Sequence, residues 1–100
     1  MSAPENFDVA FECSRATRIA FADFNLPLVH TLMPVGFFDA PDGRYYPTVW
    51  ESHGKFICGY QTDERLCVAF PDWPVADLPT AIKFAERVSG LASEHAKGLR

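Results

Sequence analysis

No apolar run in this sequence approaches the ~20 residues that a membrane-crossing helix needs. The opening residues, MSAPENF, lack a basic stretch followed by an apolar one, so no secretory leader is expected. Basic residues are few, with nine Lys and Arg against thirteen Asp and Glu and a formal net charge of −4. Residues 1–52 hold seven acids and three bases, and residues 53–100 hold six of each. A protein that grips the phosphate backbone usually shows a basic face, so nucleic acid is a disfavoured partner. It would need Arg15, Arg18, Lys83 and Arg87 to converge.

Cysteine is sparse as well. Three residues make an odd count, none of them in a CxxC pair. Reduced core thiols in a cytoplasmic protein are the expected reading, with no disulfide. His30, His53, His95, Cys13, Cys58 and Cys67 are the candidate metal ligands, and none is paired at short ligand spacing, so no metal and no cofactor is expected. There is no GxSxG, no HExxH and no Gly-rich phosphate loop after a strand. Cys58 belongs in mid-strand, where a thiol is buried and inert, and His53 belongs at a loop tip, so the two make no nucleophile–base pair. The acid pairs Asp39/Asp42 and Asp63/Glu64 fall on turns, where acidic residues serve the backbone. The chain is expected not to be an enzyme.

Apolar and aromatic residues are plentiful. They make up 48% and 14% of one hundred residues, enough for one domain with one modest core and some rings to spare. Tyr45 to Phe70, YYPTVWESHGKFICGYQTDERLCVAF, crowds β-branched and aromatic residues between two polar breaks, and predicts three strands. His53-Gly54 makes a two-residue hairpin loop, which sets Ser52 opposite Lys55, Trp50 opposite Ile57 and Thr48 opposite Gly59. With Asp63-Glu64 as the second loop, Gln61 faces Leu66, Gly59 faces Val68 and Ile57 faces Phe70. One face then carries Trp50, Ile57, Leu66, Val68 and Phe70, and the helix is expected there. The other carries Val49, Phe56, Cys58, Tyr60, Cys67 and Ala69 and needs a cover.

Residues 1–6 read as a frayed end. Phe7 to Cys13 alternates and predicts a strand, with Ser14 to Ala16 as a turn. Thr17 to Phe24 reads as a strand that hairpins back on the first, with a helix as the alternative. Leu28 to Phe38 reads as one strand bent at Pro34 and Gly36. Pro41-Asp42-Gly43 predicts a hairpin loop that ties Val35–Phe38 to Tyr45–Val49. After the proline-rich corner PDWPVADLP, Asp77 caps a helix over residues 77–97. Leu78, Ala81, Ile82, Ala85, Val88 and Ala92 lie on its apolar face, and Lys83, Glu86, Arg87 and Glu94 lie toward solvent.

The predicted fold is α+β: an antiparallel meander of five or six strands curled around one C-terminal helix, with residues 7–70 mainly β. The predicted function is a small non-enzymatic interaction protein that binds a protein partner as an inhibitor or regulator, a profile that by analogy suits accessory proteins of phages and mobile elements. Tyr45, Tyr46, Trp73, Val49, Phe56 and Tyr60 are the candidate partner contacts, since aromatic residues dominate interfaces. For Trp73 the competing reading is a plug at the sheet–helix corner. A small-molecule pocket between sheet and helix is the alternative function, and nucleic-acid binding the third. The uncovered Val49 face also predicts a homodimer, unless the N-terminal strands close over it.

Overall fold

In a computed structural model, which describes residues 7–98, His53 and Gly54 take φ angles of 52° and 80°. Two left-handed residues in succession give a loop that follows the right-handed twist of its strands. The loop joins β4 (Gly43–Ser52) to β5 (Lys55–Thr62). Ser52 faces Lys55, Trp50 faces Ile57 and Thr48 faces Gly59, as the sequence predicts. The turn at Pro41-Asp42 also forms. It joins β3 (Phe38–Ala40) to β4 with Ala40 opposite Gly43, whose φ of 124° needs a glycine.

The next hairpin departs from expectation by one residue. β6 (Leu66–Ala69) sets Cys67 opposite Gln61, Val68 opposite Tyr60 and Ala69 opposite Gly59. Arg65 takes a left-handed φ of 65° and donates its N–H to the Thr62 carbonyl, so the loop holds Asp63, Glu64 and Arg65. A one-residue slip sends every side chain of a strand to the opposite face. Val68 and Phe70 therefore join Val49, Cys58 and Tyr60, while Cys67 and Ala69 join Trp50 and Ile57.

The long helix α2 (Leu78–Gly98) packs on the Val49 face. This corrects the expectation that it would meet Trp50. Ala81, Phe84, Ala85, Val88 and Ala92 are its buried apolar side chains, and Ile82 and Leu91 are half-buried. The Asp77 carboxylate accepts from the Thr80 N–H at 3.0 Å and starts the helix as predicted. The opposite face, with Trp50, Ile57, Cys67 and Ala69, is covered by Phe21, Phe24 and Leu26. The face expected to stay open is thus closed by the chain's own helix, and the reason for placing a second copy there is gone.

Residues 7–13 are not a strand. Asp8 accepts from the N–H groups of Ala10 and Phe11 and caps a short helix, α1 (Val9–Arg15). Glu12 and Cys13 turn inward, while Phe11, which alternation places beside Phe7, is 54% exposed. Thr17 to Phe24 divides into β1 (Thr17–Ala20) and one turn of 3-10 helix (Phe21–Asp23). Among the described residues β1 has no N-terminal partner; it pairs with β6, Thr17 opposite Ala69. The expected frayed end at residues 1–6 lies outside the described residues.

Leu28 to Phe38 is two strands, not one. β2 (Leu28–Thr31) and β3 dock in succession on the same edge of β4, giving the order β1-β6-β5-β4-β2 with β3 also on β4. Pro47 explains the interruption. Its carbonyl accepts from the Leu32 N–H at 3.1 Å, and in an extended strand a residue's N–H and C=O leave on the same side. The donor that Pro47 lacks is therefore missing from this edge, so the ladder stops there and the chain leaves the sheet until Phe38. The result is an antiparallel six-stranded sheet with a C-terminal helix on one face.

Candidate functional site

The excursion from the sheet builds the most exposed apolar feature of the described residues. Val35 is 82% exposed, and Leu28, Val29, Met33, Phe37 and Phe38 are each between 36% and 46% exposed. Val35 and Gly36 donate back to the Leu32 carbonyl at 2.9 and 2.8 Å, which closes a tight turn around the cis Met33–Pro34 bond. Phe37 is held edge-on to Tyr46 with ring centroids 5.9 Å apart, and the Arg44 guanidinium lies 4.6 Å over its ring. Phe38 rests against Gly90 of α2, where a Cβ would stand 3.2 Å from the ring. A groove of about 560 Å³ opens beside it, lined also by Leu91, Lys83, Glu86, Arg87 and Glu94.

This arm carries no charge. From Phe24 to Phe38, FNLPLVHTLMPVGFF, there is no Asp, Glu, Lys or Arg. Edge strands are usually blunted with charge to discourage pairing, and β2 has none. The charge-free run is visible in the sequence, but a bent strand inside a sheet would account for it equally well. What exposes it is the break at Pro47.

The six residues predicted as partner contacts do not form one surface. Val49 is fully buried under α2. Tyr45 and Tyr60 stack on each other at 4.2 Å and 16°, and are 5% and 2% exposed. The Tyr45 hydroxyl donates to Asp42 at 2.8 Å. Tyr46, also buried, points to the other face and donates to Asp63 at 2.7 Å. Phe56 is half-buried and exchanges backbone hydrogen bonds of 2.8 and 2.9 Å with Val75. Trp73 is half-buried and packs edge-on against Phe7 at 5.3 Å, with Phe7 also against Phe70 and Phe84, so it plugs the sheet–helix corner.

Several titratable groups are shifted by burial or by hydrogen bonds. Burial raises the thiols of Cys13, Cys58 and Cys67, Cys58 to about 12, and all three are free. The Tyr46 hydroxyl and the Arg44 N–H hold the Asp63 carboxyl below its usual range. Among the described residues no three His, Cys, Asp or Glu side chains gather as metal ligands, and no helix is long and apolar enough to cross a membrane. Of the four cations weighed for nucleic acid, Arg15 and Arg18 lie by the end of α1, and Lys83 and Arg87 line the groove along α2. Arg15 pairs with Asp72 at 2.8 Å, Arg18 reaches the Cys13 carbonyl, and Lys83 and Arg87 share their groove with two glutamates.

Compared with known proteins, the chain matches no family model, no curated protein and no solved structure.

Proposed function

We propose that this is a non-enzymatic interaction protein whose Phe24–Phe38 arm is covered by a protein partner, which it inhibits or regulates. The observation that carries this reading is the arm itself: six exposed apolar side chains on a stretch without a charged residue. The exposed side chains flank one sheet edge on both faces, Phe37 beside Tyr46 and Phe38 beside α2, so a partner that covers the edge meets apolar surface on either side. β2 is the last strand on its side of the sheet, so a partner strand can add to its outer edge while Val35, Phe37 and Phe38 supply side-chain anchors.

The test is affinity capture from lysate of the native host, comparing the wild-type chain with a Val35→Glu/Phe37→Glu double variant. A protein retained by the first and lost by the second is the expected result. Identical captured sets would reject the arm as the binding surface. Light scattering separates a foreign partner from a second copy. The isolated chain is expected to be monomeric at high micromolar concentration, and a dimer that the double variant dissolves would assign the arm to self-association.

A further inference from the structure

A second site lies away from the arm, where α1, α2 and the sheet diverge. Three alanines, Ala10 of α1 and Ala92 and Ala96 of α2, leave a half-open cleft of about 330 Å³. That is the liquid volume of about ten water molecules, room for a small organic molecule. The groups facing it from the other walls are polar: Arg18, Tyr60, Tyr45, Asp42 and His95.

Arg18 is out of place as a purely structural residue. It pairs with Val68, and Val68 pairs with Tyr60. Directly opposed residues share a face, and Val68 and Tyr60 belong to the core beneath the helices. Arg18 therefore sends a guanidinium along the apolar side of the sheet and out into the cleft. One terminal nitrogen donates to the Cys13 carbonyl at 3.0 Å, near the end of α1. A guanidinium carries five N–H donors, so this bond leaves others for the cavity. Burial, above all, pushes Tyr60 up to about 12, so its hydroxyl stays protonated beside the Arg18 guanidinium and the Tyr45 hydroxyl. The Tyr45 proton is given to Asp42, which occupies one oxygen of the only acid that lines the cleft among the described residues. His95 has no partner among the described residues.

We propose that this cleft binds a small organic monocarboxylate, with the carboxylate on Arg18 and its apolar body against Ala92 and Ala96. Guanidinium and carboxylate match in planar geometry. A dianion is disfavoured, because Asp42 stands at the wall and the C-terminal ends of α1 and α2, the negative poles of their dipoles, lie close by. The site shares no residue with the arm and does not depend on the partner reading.

Thermal unfolding of the full chain with acetate, isovalerate, benzoate and inorganic phosphate tests it. At least one carboxylate is expected to raise Tm saturably, by about 10 °C at a hundred times its Kd, with phosphate inert. Arg18→Gln is expected to weaken that carboxylate by about tenfold or more. Ala96→Leu, at a half-buried position, fills the cleft without touching Arg18 and is expected to abolish the shift, so the test survives if Arg18→Gln does not fold. Absence of a saturable shift with all three carboxylates would overturn the proposal. So would an equal shift with phosphate, or a carboxylate shift that Ala96→Leu leaves intact.

Discussion

A Cβ added at Gly59 would collide with the Val68 carbonyl oxygen and stand 2.9 Å from Ala69 Cα. Both obstacles are backbone of the neighbouring strand, which cannot swing aside as a side chain can. Gly59→Ala is therefore expected to cost about 3 kcal/mol or more, the range of severe overpacking, read as a lowered denaturation midpoint. A wild-type midpoint would mean that β6 can shift outward freely. Acid acts at other single residues. Asp63 accepts from the Tyr46 hydroxyl and the Arg44 N–H, and Asp77 caps α2, and both carboxyls titrate below their usual value. A depressed folded value means that the stability each adds is complete above the unfolded value of about 3.9 and is lost as pH falls through the folded one. The denaturation midpoint should thus drop as pH falls below about 4, and Asp63→Asn should flatten that slope. A midpoint independent of acid would show that neither bond contributes.

Among the elements, α2 carries the core. Val88 is fully buried against the sheet, whereas Ile82 lies at the margin of the core. Val88→Asp places an unpaired charge among apolar groups and should unfold the domain, while Ile82→Asp should only lower its melting temperature. Circular dichroism melts of the two variants distinguish these outcomes, and equal behaviour would misplace the stripe. The elements legible in the sequence are those with local chemistry that admits one answer. His53-Gly54 fixed the central hairpin, Pro41 to Gly43 the one before it, and Asp77 the helix start. The failures also have local causes. FDVAFEC fits a two-residue period and, with Asp8 as a cap, one turn and a half of helix, and seven residues are too few to separate the periods. Nothing in the side chain of Arg65 announces a left-handed backbone, yet that residue shifted β6 by one position and exchanged the faces of the sheet. The arm's sequence shows it as apolar but not as exposed, because its exposure follows from a proline on a different strand. Of the predicted contacts, Tyr45 and Tyr60 do line a cavity, though for reasons of register that composition alone does not reveal.

For the molecule as a whole, the free thiols give a direct check. All three are buried, so a thiol reagent should count three after denaturation and react slowly before it; a denatured count of one would mean a disulfide. The topology also sets an order of events. β4, β5 and β6 close through loops of two and three residues, as the pairs Ser52–Lys55 and Gln61–Cys67 require. β1 reaches β6 only by bringing Thr17 to Ala69, across about half of the chain. Long closures carry the larger entropy cost, so the meander should nucleate folding while α1 and β1 dock after the rate-limiting step. Phe7, which binds the N-terminal segment to Phe70, Trp73 and Phe84, then acts as a latch fastened last and released first. Phe7→Ala should speed unfolding and leave the folding rate nearly unchanged, whereas Ile57→Val in the meander should slow folding. Stopped-flow chevrons of the two variants would reveal this asymmetry. If it holds, the carboxylate cleft, walled by α1 and β1, opens and closes with the latch while the rest of the sheet stays intact.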